Sequence, residues 1–235
     1  MLDFSQYEAL TFDCYGTIIN WEQGILSAIK PVLAAHQIKA SDSQILELFA
    51  QLEGKIEAGE YQSYRNVLRQ VMQQFGEKLG FTPASEQLDY LADSIQNWQP
   101  FPDSVEALKT LKQKFKLVII SNVDDDLFAF TAKHLDIPFD FVITASQAKS
   151  YKPSTHNFEF AFEKTNIPRN KILHVAQSIY HDIVPAKSLG LSTVWVNRRR
   201  NQAGSGATPP ASSHPDLEVP DLKTLATLAT KQSKE

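Results

Sequence analysis

Four short stretches carry the residue types that hydrolytic chemistry needs, and each follows or adjoins a run that reads as a strand. The first is Leu10-Thr11-Phe12-Asp13-Cys14-Tyr15-Gly16-Thr17. An apolar, β-branched and aromatic run from about Tyr7 to Phe12 delivers Asp13 to the carboxyl edge of a parallel sheet, where open α/β sheets bind ligands. A carboxylate placed there can attack an electrophilic carbon or phosphorus and form an ester; an aspartate that merely opens a turn is the plain alternative. Gly16 allows a sharp turn that exposes backbone N–H groups to whatever sits against Asp13. The second stretch is Ser121-Asn122, whose side chains can each donate to an oxyanion or halide, or bond only their own turn. The third is the segment from Lys149 to Lys152. Pro153 holds Lys152 extended, and an ammonium beside Asp13 would keep that carboxylate ionised; most lysines are simply solvated. The fourth runs from Gln177 to Asp182, where Asp182 stands near a helix start and capping competes with chemistry. Polar residues recurring at four strand ends weigh more than any one of them.

The elements that must position these groups follow from periodicity. From Asn20 to about Pro100 the pattern is helical. Ile25, Ile29, Val32 and Leu33 share one face, with Pro31 expected to kink that helix or begin a new one. Ile45, Phe49, Leu52 and Ile56 form a second stripe; Tyr64 through Leu79 forms a third that ends on Gly80 as a C-cap. Leu88, Leu91 and Ile95 suggest a fourth. Beyond Phe101-Pro102-Asp103-Ser104, a helix entry, strands are expected over Lys116 to Ile120, Phe139 to Thr144, Ile172 to Val175 and Thr193 to Val196, alternating with helices. That alternation implies right-handed βαβ units and a Rossmann-like parallel sheet covered on both faces. A helical subdomain is thus expected at 20–100, inserted after the first strand of a core formed by 1–19 and 101–235. Asn201 to Pro215, rich in Gly, Ser, Ala and Pro, reads as a mobile loop. Leu222, Leu225 and Leu228 mark a closing helix before a polar tail.

Composition narrows the function classes. The chain has 235 residues, 43% hydrophobic and 21% charged, with 23 Lys and Arg against 27 Asp and Glu. That is an ordinary soluble balance with no nucleic-acid footprint; Arg198-Arg199-Arg200 reads as a solvated turn. No apolar run reaches bilayer length, and the N-terminus has no basic-then-apolar signal pattern, so a cytoplasmic location without a membrane partner is expected. Cys14 is the single cysteine, which excludes an internal disulfide and a thiolate cluster, and no base near it argues for thiol catalysis. His174, within a strand, reads as a core histidine. His181 could shuttle a proton but has a plain packing role as its alternative, and Tyr180 and Trp195 read as packing residues.

Phe12-Asp13-x-Tyr15-Gly16-Thr17, Ser121-Asn122, Tyr151-Lys152-Pro153 and Ala176-Gln177-Ser178-x-x-x-Asp182 resemble the four motifs of the haloacid dehalogenase superfamily in order and spacing. The resemblance covers essentially the whole chain, including a helical cap after the first motif. Phosphatases of that superfamily carry a second Asp two residues after the nucleophile as general acid; here Tyr15 stands there, as in the L-2-haloacid dehalogenase branch. The difference is chemically sensible, because an alkoxide leaving group benefits from protonation whereas a halide is a weak base. The phosphatases also hold Mg²⁺ with acidic residues of the fourth motif. With Gln177 in place of the first of these, only Asp13 and Asp182 remain as carboxylate ligands, so no metal and no other cofactor is expected, Mg²⁺ being the mark of the phosphatase alternative.

The resemblance implies that Asp13 displaces halide from carbon and forms an ester, that Lys152 pairs with Asp13, and that Asp182 positions the water that hydrolyses the ester. Thr17, Ser121 and backbone N–H groups near Tyr15 and Asn122 would bind the substrate carboxylate or orient the nucleophile. Gln177 and Ser178 complete the expected substrate-binding set with Tyr15 and Asn122. Two departures bear on the halide pocket. The branch carries an arginine on the first long cap helix, but no Arg or Lys lies between Ala40 and Glu53; Lys55, Arg65 and Arg69 are the substitutes to consider. The tyrosine usual after the third motif is Phe158. The expectation is a hydrolase converting a short 2-haloacid to a 2-hydroxyacid. A small-molecule phosphatase is the alternative from the same fold, and a non-catalytic binding module the one from another class. The expected partner is a small molecule, with a homodimer as the assembly to consider.

Overall fold

The computed structural model describes residues 2–231. The polar tail expected after the closing helix lies largely outside them. In chain order the elements are β1 (Ala9–Phe12), α1 (Trp21–Ala35), α2 (Asp42–Glu57), α3 (Tyr64–Leu79), α4 (Tyr90–Ser94), α5 (Ser104–Lys112), β2 (Lys116–Ser121), α6 (Asp125–Leu135), β3 (Phe141–Thr144), α7 (Ala145–Ala148), α8 (His156–Thr165), β4 (Ile172–Ala176), α9 (Val184–Ser188), β5 (Ser192–Val196), β6 (Leu217–Val219) and α10 (Leu222–Lys231). The strands form one parallel sheet in the order β3-β2-β1-β4-β5-β6. The chain lays strands to one side of β1 and then jumps back across it. Its switch point therefore falls between β1 and β4, where doubly wound sheets open a ligand crevice beyond the strand ends.

The central strand explains its own sequence. Every residue of β1 is buried, so it reads as a continuous apolar run rather than an alternating one. Thr11 is the exception in type, and its hydroxyl is paired 2.9 Å from His174 Nδ1 on β4, the residue directly opposite in register. The apolar faces on the two sides of the sheet fill with residues such as Phe12, Ile119 and Val175 on one side and Val118, Ile120 and Phe158 on the other.

Residues 20–100 contain only helices and turns apart from an isolated bridge between Ile19 and Pro100. The helix starts are capped by short polar side chains: Asn20 for α1, Ser41 with Gln44 in a capping box for α2, and Ser63 for α3. Gly80 ends α3 in the left-handed conformation at φ +79°, as its spacing predicts. Pro31 does not begin a new helix: α1 runs through it to Ala35. The chain leaves and re-enters the sheet side by side, with Asn20 N donating to Gln99 O at 2.9 Å and Phe101 N to Ile18 O at 2.9 Å. No helix of the described residues is long and apolar enough to cross a membrane.

Three elements went unread in the sequence. Strand β6 is only three residues long, α6 follows β2 with three acidic residues at its start, and α7 is a single turn. The Gly/Ser/Pro-rich stretch before β6 is irregular, as expected, yet it is anchored: Ala207 N donates to Glu22 Oε1 at 2.9 Å, and Ala207 and Thr208 are buried.

Candidate active site

Asp13 follows β1 directly, its N–H donating to Val175 O on β4. The chain then turns at Gly16, whose φ of +95° only glycine adopts at low cost, and where an added Cβ would meet the Trp21 indole nitrogen at 2.9 Å. The turn folds Thr17 back so that its hydroxyl donates to Asp13 Oδ2 at 2.7 Å while accepting from Gln177 N at 2.8 Å. Gly16 N–H itself donates to Ile19 O at 2.8 Å and closes the turn. Arg198 after β5 fastens the turn from outside, donating twice to Thr17 O at 3.1 and 2.9 Å and pairing with Asp103 at 2.7 Å.

Lys152 is the centre of the site. Its side chain is 1% exposed, and Nζ donates to Asp13 Oδ1 at 2.9 Å, Asp182 Oδ1 at 2.7 Å and Ile120 O at 2.8 Å, which uses all three of its protons. Asn122 holds the lysine backbone in both directions, its Oδ1 accepting from Lys152 N at 2.7 Å and its Nδ2 donating to Lys152 O at 2.9 Å. Asp182 sits in a wide turn (Ile179–Ile183) ahead of α9 and caps nothing; Ser178 does the capping by accepting from His181 N. His174 Nε2 donates to Asp182 Oδ1 at 3.1 Å. That core histidine therefore orients a site carboxylate, a role its apolar neighbours hide in the sequence.

The electrostatics follow from this packing. Burial opposes the Lys152 charge, but Asp13 and Asp182 outweigh it and push its pKa up, so the ammonium persists. Burial also opposes ionisation of Asp182, yet Lys152 and His174 hold its carboxyl below the ordinary value. For Asp13, burial dominates: aided by the Asp182 charge, it raises the pKa against the pull of Lys152 and Thr17. Burial and Lys152 lower His181 to about 4, so it is neutral near pH 7. The Cys14 thiol is fully buried and pushed up by burial and by Asp13, consistent with no thiol chemistry.

A cavity of about 30 Å³ lies over Asp13. Seven of the nine residues expected at the site line it: Asp13, Tyr15, Ser121, Asn122, Lys152, Ser178 and Asp182. Thr17 and Gln177 do not; they brace Asp13 from behind, and the Gln177 carbonyl accepts from Trp195 Nε1 at 2.8 Å. Ser121 Oγ and Asp182 Oδ2 are buried at the cavity and have no partner within the protein. The Tyr15 hydroxyl is turned away to Thr131 at 2.8 Å, leaving its ring at the wall. The remaining wall was not foreseen. Trp21, Glu53, Glu57 and Tyr64 come from the helical segment and Thr208 from the anchored loop. Tyr180 belongs to a neighbouring, larger cleft instead. None of the substitutes for a cap arginine reaches the cavity: Lys55 is exposed, Arg65 pairs with Asp93 and Asp126, and Arg69 pairs with Asp89. Glu53 and Glu57, on one face of α2, occupy the side opposite in charge to such an arginine.

At the sheet edge of this cavity, the carboxylates that could meet a cation are Asp13 and Asp182. Lys152 Nζ occupies the position bridging Asp13 and Asp182, and no group of three His, Cys, Asp or Glu side chains among the described residues converges as ligands.

Residues 7–190 match the haloacid dehalogenase-like hydrolase family. The chain is similar to (S)-2-haloacid dehalogenase 4A of Burkholderia cepacia, 27% identical over 206 residues that span 82% of this chain and 84% of the relative. It is also similar to the pyrimidine 5'-nucleotidase YjjG of Escherichia coli, 23% identical over 57% of this chain and 61% of that protein. The solved L-2-haloacid dehalogenase of Xanthobacter autotrophicus superposes with a TM-score of 0.80 over 97% of this chain and 100% of its own, at 20% identity, which shows a shared fold. Sheet order, the carboxylate at the end of β1 and the family match over most of the chain lead to one statement: this protein belongs to the haloacid dehalogenase-like hydrolases.

Proposed function

We propose that the protein is a hydrolytic dehalogenase that converts short 2-haloacids to 2-hydroxyacids through an ester on Asp13. The observation that carries this reading is the combination at the end of β1. A buried carboxylate is held by Lys152 and Thr17, and a tyrosine whose hydroxyl is spent on Thr131 stands where a phosphatase would hold a second acid. The 2-haloacid dehalogenases among its relatives support the substrate class.

In this mechanism Ser121 Oγ takes the substrate carboxylate. An Asp13 oxygen then attacks the carbon bearing the halogen from the side opposite the leaving group, with reacting atoms about 3–3.5 Å apart. The new C–O bond forms as the C–halogen electron pair departs with the halide. Water next attacks the ester carbonyl of Asp13 while the free Oδ2 of Asp182 accepts one of its protons. As the tetrahedral intermediate collapses, Asp182 passes that proton to the departing alkoxide oxygen, the hydroxyacid leaves, and loss of the second proton to solvent restores the Asp13 carboxylate. Lys152 neutralises charge at both steps. The helices of 20–100 act as a cap that seals the cavity against bulk water.

A single turnover in ¹⁸O-water tests the mechanism. The label is expected in the Asp13 carboxylate and not in the product; label found directly in the product overturns the ester. The similarity to a nucleotidase keeps one second reading, a small-molecule phosphatase. Chelator-sensitive release of phosphate from p-nitrophenyl phosphate, with no halide released from haloacetates or 2-halopropionates, would establish it instead.

A further inference from the structure

In the dehalogenation proposed above, the displaced halide must leave on the face of the substrate carbon turned away from Asp13, towards the helical wall. Among the described residues, that wall holds no cation. Among the described residues lining the cavity, Lys152 is the only Lys or Arg, and its three protons are committed to Asp13, Asp182 and Ile120 O. What the wall does hold is a pair of carboxyl groups one turn apart on α2. Glu53 is buried and accepts a hydrogen bond from the Tyr64 hydroxyl at 2.5 Å. Glu57 is half-buried, and its Oε2 accepts from Asn122 Nδ2 at 3.2 Å, tying α2 to the turn after β2. The second oxygen of Glu57, Oε1, is shielded from solvent and has no partner within the protein; across the same cavity the buried Ser121 Oγ is likewise unpaired. An unpaired polar atom in such a place costs on the order of 1–3 kcal/mol, so both are explained best by a ligand that completes them.

We propose that Glu57 is the leaving-group residue of this enzyme: its Oε1 carries a proton and donates a hydrogen bond to the departing halide, with Glu53 and Tyr64 as its support. This inference rests on the dehalogenase reading for the reaction but concerns a site that can be probed without turnover. The bond inventory selects the oxygen. Oε2 is already an acceptor, so the proton belongs on Oε1, which has no partner within the protein. The surroundings keep that proton in place. Burial raises the Glu57 pKa well above the ordinary value and the neighbouring Glu53 raises it further, against smaller opposing effects of Lys152 and Asn122. Burial likewise takes Glu53 to about 8. The other titratable groups at this cavity are Lys152, Asp13, Asp182, Tyr15, Tyr64 and the neutral His181; Glu57 also borders the neighbouring cleft, which holds Tyr61, Lys149 and Tyr151. During displacement the halide leaves with the bonding pair and shares the Glu57 proton, which stays on the carboxyl oxygen, so the acid is ready again once the ion departs. Fluoride, the strongest hydrogen-bond acceptor of the halides, gains most from such a donor, and bromide least.

Titration of sodium bromide and sodium fluoride into the intact protein, followed by calorimetry and by the fluorescence of Trp21 at the same cavity, tests the assignment. Wild type is expected to bind both ions saturably near about pH 6 and to lose about tenfold or more in affinity by about pH 10 as the acids ionise. Glu57→Gln, which keeps an N–H donor but cannot titrate, is expected to bind severalfold more weakly with a flat pH profile, and Glu57→Leu not to bind. Absence of saturable halide binding in wild type, an unchanged profile in Glu57→Gln, or binding of methylammonium that strengthens above about pH 8 would each overturn the proposal. Circular dichroism of both variants separates these outcomes from misfolding. Should halide ion bind with the expected profile while no haloacid is turned over, the dehalogenase reading fails and the halide site stands.

Discussion

The two halves of the cavity solve the same electrostatic problem in opposite ways. At the sheet edge, Asp13 and Asp182 are kept close together by one ammonium, and each carboxylate has at least two hydrogen-bond donors or a donor and a histidine. On α2, Glu53 and Glu57 stand side by side with no cation of their own, and burial drives both towards the neutral acid. The comparison teaches which half does what. In the proposed mechanism, charge is fixed where bonds to carbon are made and broken, and it is withheld where the leaving group must fit. The sheet edge carries the four stretches on which the family resemblance rests. The helical wall is where this chain differs from the arginine-bearing branch it resembles.

Breaking the fixed-charge half has the largest expected effects. Asp13→Asn removes the proposed nucleophile and is expected to lower kcat by about 10⁴-fold or more, read as halide release with protein fold unchanged by circular dichroism. Lys152→Met leaves two buried carboxylates facing each other; a loss of about 3–5 kcal/mol in urea denaturation, together with loss of activity, is expected. His174→Phe removes the donor to Asp182 and should slow ester hydrolysis more than ester formation. The esterified enzyme would then accumulate, visible as a mass increase on Asp13 during turnover; equal slowing of both steps would assign His174 to packing alone. The acid limb of kcat/KM sharpens the contrast further. Because Asp13 is raised above the ordinary carboxylate value and works ionised, activity should fall on acidification at a pH above 3.8, its unperturbed value.

The smallest expected effect belongs to the helical wall. Glu53 is protonated in the folded protein up to about 8 but ionises near 4.5 once unfolded. Its contribution is therefore fully present below the unfolded value and is lost as pH rises through the folded one. Glu53→Gln cannot ionise, so it is expected to raise Tm by about 2–4 °C at pH 9 relative to wild type while changing little at pH 5. A variant that melts lower at both would show that the carboxyl is ionised and paired, and the two halves would then be alike.

The contrast also explains what was legible in the sequence. The strands of the sheet announce themselves because both faces are covered and the runs are short and apolar; the polar residues at their ends share a register that the parallel pairing enforces. Asp13, Lys152 and Asp182 could thus be named from spacing and resemblance, and the structure brings them within hydrogen-bond reach. Glu53 and Glu57 could not. On an amphipathic helix a glutamate beside Leu52 and Ile56 reads as solvated, and only the approach of α2 to the strand ends, an event of tertiary packing, buries it. One signal existed: two acids at helical spacing in the stretch where the family expects a cation. His174 was hidden for the reverse reason, since a histidine in an apolar strand resembles core until its neighbour in register, Thr11, is known.

Arg198 links the turn that holds Asp13 to α10. It grips the Thr17 carbonyl and pairs with Asp103, whose other oxygen receives the first amide of α10, Leu222, at 2.8 Å. The turn after β1 is thereby buttressed by segments made long after it. On the ribosome, a growing polypeptide that stops short of residue 198 has every residue of the Asp13 motif but lacks the Arg198 and Leu222 contacts, so the turn gains its full support only after residue 222 has been made.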